Sequence, residues 1–211
     1  MEHTQPRLDA LAAQLKKRNI ECVFCPDKPS ALQKAMEIIP KEATVGISGS
    51  LTLTQLDLVH SLTQRGTVVY DQYQEGLSRK ESMEMRNKGA CADYYLTSAN
   101  AISARGELVF FSARGHRIAG IANAGNVVVV AGINKITADL QSALQRAREY
   151  ATPLNCKRLG YISACSQDGI CRSDICLFPE YKRMCCQLLI VEAEITPGRM
   201  KVLLVKEELG Y

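Results

Sequence analysis

Apolar residues recur along this chain in two alternating rhythms, one close to the helical period and one unbroken or two-residue. Leu8, Leu11, Ala12 and Leu15 fall on one stripe of a first helix, the short run IECVFC follows, and Leu32, Ala35, Met36 and Ile39 mark a second helical face. ATVGIS, bounded by Pro40 and Gly49, is apolar without alternation, as expected of a strand covered on both faces. A helix over 52–62 places Leu53, Leu56 and His60 on one face, so His60 reads as a packed or partly buried histidine. Arg65 and Gly66 stop that helix, and TVVY supplies another short strand.

The second half repeats the scheme. EGLSRKESMEMRNKGACA is polar and helix-prone, and DYYLTS and ELVFFS are β-rich runs separated by the small-residue loop ANAISARG. NVVVVAG is the strongest central-strand candidate, being uninterrupted, β-branched and closed by Gly132. A helix follows with Leu140, Ala143, Leu144 and Ala147 on one face, Thr137 as its expected N-cap, and an end near Pro153. QLLIVEAEI and MKVLLVKEE, joined by TPGR, give a C-terminal strand pair that extends the sheet or forms a hairpin against it. Strands alternating with helices of this length predict a three-layer α/β fold, a mostly parallel sheet flanked by helices. No linker divides the chain, so 1–211 reads as one domain with 165–186 as a cysteine-rich excursion.

A length of 211 residues at 46% hydrophobic content suffices for one substantial core. The formal charge is only +4 and no basic run is interleaved with aromatics, so no nucleic-acid footprint is visible. The start, MEHTQPRLDALAAQLKKRN, lacks the pattern of a signal peptide, and no segment approaches a membrane span. A cytoplasmic location is therefore expected. In that compartment clustered thiols point to metal or redox chemistry sooner than to a disulfide framework. Five of nine cysteines, Cys165, Cys171, Cys176, Cys185 and Cys186, fall within 165–186. Zinc, an iron-sulfur cluster, redox-responsive thiols and intramolecular disulfides all stay open at this point.

Ligands of open α/β sheets sit beyond the carboxyl ends of the strands, so the loops after ATVGIS and NVVVVAG come first. In GISGSLTLTQ, Gly46 and Gly49 permit close backbone approach and Ser48, Ser50 and Thr52 supply hydroxyls, a setting for an anion or simply a capped turn. In AGINKIT, Lys135 beside Asn134 is placed either to neutralise a carboxylate or phosphate or to be solvated. Asn100 follows a strand and either meets a ligand or caps its own turn. His116 next to Arg117 reads as an acid/base group with an anion clamp, or as a surface turn. No Ser-His-Asp set, HExxH motif or spaced carboxylate pair is present, so no nucleophile or catalytic residue is assigned.

GISGSLTL, DYYLTSANAISARGELVFF, GHRIAGI, VVVVAGINKI and AREYATPLNCKRLG, followed by a cysteine-bearing segment, together resemble the LUD domain proteins, named for lactate utilisation. The resemblance covers about residues 1 to 190 and rests on the ordered set of motifs. It implies a fold like that of the sugar-phosphate isomerase and CoA-transferase superfamily. It also implies a soluble component of an L-lactate or related 2-hydroxy-acid oxidation system, acting with iron-sulfur redox proteins as partners. Two alternatives accompany it: an enzyme or sensor for a small anionic metabolite such as a phosphosugar or acyl-CoA, and a docking module for an iron-sulfur partner. The family's loops fall on Gly46, Ser48, Gly49, Ser50 and Thr52, on Asn100 and Ala101, and on Gly132, Asn134 and Lys135. The chain departs at Gly115-His116-Arg117, where the family commonly has Gly-Asn-Arg, and at Asp174, where the family's cysteine spacing calls for a thiol that here comes at Cys176.

Overall fold

The computed structural model describes residues 4–172, 176 and 183–211. The parts of the expected excursion at 173–175 and 177–182 lie outside the described residues. The first half runs α1 (Thr4–Lys17), β1 (Glu21–Cys25), α2 (Lys28–Ile38), β2 (Thr44–Ile47), α3 (Leu51–Gln55), α4 (Leu58–Gln64), β3 (Val68–Tyr70), α5 (Arg79–Ala90) and β4 (Tyr94–Thr97). Local chemistry fixes the starts. Asp27 accepts from Ser30 N with a proline in the first turn of α2, and Ser78 with Glu81 closes a reciprocal capping box on α5.

The expected helix over 52–62 is two helices, broken at Asp57, which adopts φ 52. In one continuous helix Leu58 would point away from Leu53 and Leu56; the break re-phases the chain so that all three, with Leu62, are buried. The same re-phasing turns His60 outward, so it is exposed and not packed in the core.

The second half runs β5 (Ala101–Ser103), β6 (Leu108–Ser112), α6 (His116–Asn123), β7 (Asn126–Gly132), a 3-10 turn (Ile133–Lys135), β8 (Ile136–Thr137), α7 (Leu140–Gln145), a π turn (Arg146–Ala151), α8 (Thr152–Arg158), α9 (Ala164–Asp168), β9 (Gln187–Val191) and β10 (Met200–Val205). Asp139, and not Thr137, caps α7 by accepting from Ser142 N, because Thr137 is already paired in β8. The helical path does not end at Pro153. The wide π turn precedes the ring, and Thr152 Oγ1 donates to Ala147 O at 2.8 Å, so the chain passes the proline without the usual clash.

Six strands form a wholly parallel sheet in the order β1-β10-β7-β4-β2-β3, and β8-β5-β6-β9 form a second, mixed sheet. Central β7 shows why three layers result. Val127, Val129 and Ala131 join a core with α1, α6 and the second sheet, whereas Val128 and Val130 join a core with α2, α3 and α4. The two C-terminal strands do not pair with each other. β10 is buried at all but one position and suits only a site covered on both faces, between β1 and β7, while β9 carries exposed Gln187 and Leu188 and runs antiparallel to β6. Among the described residues no helix is long and apolar enough to cross a membrane.

Candidate functional site

The carboxyl ends of β2 and β4, the loop after β6 and the start of α6 enclose a cavity of about 700 Å³, completed by α5 and α8. Its floor is organised by Arg117. The guanidinium donates from Nη1 to Asn100 Oδ1 and Phe111 O, both at 3.1 Å, and from Nη2 to Gly49 O at 2.9 Å. One cation thus ties the loops after β2 and β4 to the end of β6. Asn100 is the second organiser, since its Oδ1 also accepts from Phe111 N at 2.8 Å.

Gly49 carries the other link. Its N–H donates to Tyr73 Oη at 3.0 Å, and that oxygen lies 3.3 Å from His116 Nε2. A Cβ on Gly49 would sit 2.6 Å from Tyr73 Oη, so a larger residue there would push the phenol away from this contact. His116 Nδ1 is buried without a hydrogen-bond partner. Burial first, then Arg117, Arg86 and Arg114, push the imidazole down to about 4, so it is neutral at physiological pH.

Among the described residues, Arg86, Arg114, Arg117 and Arg158 line the cavity against Asp57 and Asp71 alone. None of the four arginines forms an ion pair among the described residues. Arg86 donates to Gln72 Oε1 and Ser82 Oγ, and Arg158 to Asn155 Oδ1. A concave surface with surplus positive charge favours an anion.

A cleft of about 40 Å³ adjoins it through Gly49, Ser50, Asn100 and Arg117 and ends at Lys135. Lys135 is 4% exposed, and its Nζ donates to Ser98 Oγ (2.8 Å), Thr52 Oγ1 (3.0 Å) and Ala99 O (3.2 Å). Burial, then Arg146 and Arg117, push the ammonium down to about 7.

Of the residues expected at the site, Ser48, Gly49, Ser50, Asn100, His116 and Arg117 line the large cavity, and Thr52 and Lys135 line the cleft. Ser48 Oγ is paired with Thr97 Oγ1 at 2.8 Å, and Ser50 caps α3. Three do not line either space. Gly46 serves helix packing: a Cβ there would meet Gly89 O at 2.0 Å, so the close approach is to α5. Gly132 makes its close approach to the backbone of Glu207 and Leu209. Asn134 turns the same way, accepting from Leu209 N and donating to Gly210 O. Tyr73, Arg86, Arg114 and Arg158 were not legible as site residues; an aromatic in a polar loop was the only signal.

Cys165, Cys171, Cys176 and Cys185 line a separate small cavity with Cys156, Arg148 and Arg183. It shares Thr152 and Met184 with the large one. Cys186 is exposed and donates to Arg183 O at 3.0 Å. None of the nine cysteines is joined in a disulfide, and among the described residues no three His, Cys, Asp or Glu side chains are grouped closely enough to hold a metal as they stand.

Comparison with known proteins places these sites in context. The family model of the LUD domain matches residues 8–205. The crystal structure of a DUF162 family protein from Deinococcus radiodurans superposes with a TM-score of 0.56 at 13% identity, covering 95% of this chain and 97% of that one, a likeness of fold. Ribose 5 phosphate isomerase A from Neisseria gonorrhoeae aligns over 54% of each chain at 15% identity with a TM-score of 0.35, too low to support a fold argument. Among curated proteins, none matches the chain significantly.

Proposed function

The chain belongs to the LUD domain family, and from that membership, which supports a lactate-utilisation-related function in general, we propose that it is the metabolite-binding component of an L-lactate or related 2-hydroxy-acid oxidation system. In this reading it acts with iron-sulfur redox subunits, and the large cavity receives the carboxylate of the metabolite. The observation that carries the reading is the surplus of cations. Four arginines line one cavity without an ion pair among the described residues, and a carboxylate would complete them. Arg117 is committed to backbone and Asn100, so it sets the field of the floor, leaving Arg86, Arg114 and Arg158 nearer the mouth to meet the ligand.

Calorimetric titration with L-lactate, pyruvate and the uncharged lactamide tests this. The carboxylates bind and lactamide does not, and Arg114→Gln or Arg158→Gln weakens carboxylate binding about tenfold, the worth of one charge-assisted hydrogen bond. Equal response to lactamide would remove the anion from the account. A second reading, turnover of an anionic metabolite by the isolated chain, is favoured by the position of His116, whose ring lines the cavity with Nε2 3.3 Å from Tyr73 Oη. Product formed without any redox subunit supports it, whereas lactate-dependent reduction of an iron-sulfur protein only in the presence of this chain supports the first.

A further inference from the structure

The cleft beside the large cavity ends on a group for which anion binding alone has no use. A lysine as buried as Lys135 is ordinarily paired with a carboxylate. Lys135 forms no ion pair among the described residues; its Nζ meets Thr52 Oγ1, Ser98 Oγ and Ala99 O. These uncharged partners accommodate an amine as well as an ammonium. The ammonium donates to all three, whereas the neutral amine gives its two hydrogens to Ser98 Oγ and Ala99 O while Thr52 Oγ1 accepts from Ser98 Oγ at 3.2 Å. None of the three then requires the nitrogen lone pair. Gly210 keeps the space over that nitrogen open. Its N–H donates to Gln55 Oε1 at 2.8 Å and its carbonyl accepts from Asn134 Nδ2 at 3.4 Å, which fixes the backbone there, and a Cβ would stand 3.4 Å from Nζ and 2.6 Å from Thr52 Oγ1.

We propose that Lys135 is a nucleophile that captures a small 2-oxo acid as an imine. Nζ attacks the carbonyl carbon, a C=N bond replaces the C=O bond, and the oxygen leaves as water carrying both amine hydrogens, so no oxidant or reductant takes part. The size of the cleft sets the class of ligand. A volume of about 40 Å³ holds roughly three waters, each with a share of liquid volume of about 30 Å³, so the space suits a two- or three-carbon acid and not a sugar phosphate. Charge selects the acid. Arg117 lines the same cleft, and its field favours a carbonyl compound bearing a carboxylate over an uncharged ketone. The surroundings also act on the amine: burial first, then Arg146 and Arg117, hold it down to about 7, which leaves a large share unprotonated at neutral pH, as a lysine nucleophile requires. The inference rests on the reading of this region as a carboxylate receiver. It adds that the oxidised partner of the pair, the 2-oxo acid, is held covalently, whereas the 2-hydroxy acid has no carbonyl to condense.

The test is reduction of the full chain with cyanoborohydride at about pH 8 in the presence of pyruvate, L-lactate or acetone, followed by mass spectrometry of the intact chain and of its peptides. Ordinary lysines are protonated at that pH and compete poorly. The expected result is about one reduced pyruvate adduct per chain, mapped to Lys135, none with L-lactate, and about tenfold less with acetone, which lacks the carboxylate. Lys135→Met loses the adduct with unchanged far-ultraviolet circular dichroism, and the peptide map of the wild type gives the same answer without the variant. Calorimetry of L-lactate on the wild type separates the two readings. Lactate binding without a pyruvate adduct overturns the imine and leaves the anion site standing, while a Lys135 adduct without lactate binding supports the imine and removes the anion site. An adduct confined to other lysines or the α-amino group, or one of equal yield in Lys135→Met, overturns the assignment.

Discussion

Replacing Lys135 by methionine probes the buried charge at the centre of the strand ends. Methionine keeps the length and apolar stem but removes an ammonium that donates to Thr52, Ser98 and Ala99 and forms no ion pair with an acidic side chain among the described residues. The native structure lowers this group from 10.5 to about 7. That displacement corresponds to about 5 kcal/mol by which the folded state disfavours the charged form. Between those two values the unfolded chain binds the proton and the folded chain does not, so stability rises with pH through this window. Below about 7 both states carry the proton and the full penalty is present. The assay is urea unfolding of both proteins at pH 7.0, 8.0, 9.0 and 9.5, with the methionine variant subtracting every other titrating group. From pH 7 to 9.5 the wild type should gain about 3 kcal/mol relative to the variant, a slope near 1.4 kcal/mol per pH unit. A difference constant to within about 0.5 kcal/mol across the range would refute the depressed lysine, because linkage leaves no other source for the slope.

Arg117→Ala should not act as a simple binding mutation. It removes donors to Gly49 O, Asn100 Oδ1 and Phe111 O, so the expected loss is about 3 kcal/mol of unfolding free energy by urea titration, together with loss of the cavity's shape. Unchanged stability would instead restore a free anion clamp. Gly46→Ala tests the reassignment of that glycine: its Cβ would lie 2.0 Å from Gly89 O, and the forced separation of α5 from β2 should cost about 3 kcal/mol or more. A variant as stable as wild type would show that α5 gives way freely.

Much of the fold was legible because burial on both faces leaves a plain mark. NVVVVAG reads as a central strand, and it is β7, packed into both cores. MKVLLVKEE bears the same mark, yet its place between β1 and β7 depends on which parallel neighbours are vacant, and a pattern along one strand does not record that. His60 shows the limit of periodicity. Its stripe with Leu53 and Leu56 is real only for an unbroken helix, and the left-handed turn at Asp57 carries no glycine to announce it. At the site, Gly49 and Gly46 look alike in sequence, but one meets Tyr73 at the cavity and the other meets the backbone of α5. Arg86 and Arg158 sit on helices among other charged residues, so convergence on one cavity follows only from tertiary packing.

The central claim, that an anion enters the cationic cavity, is tested most directly at His116, observed by nuclear magnetic resonance of the imidazole nitrogens during pH titration with and without saturating pyruvate. The free chain should keep His116 neutral down to about 4, and pyruvate should move the midpoint upward, because a carboxylate in the cavity offsets the field of Arg117, Arg86 and Arg114. A midpoint at the ordinary histidine value in the free chain, unmoved by pyruvate, would contradict the account.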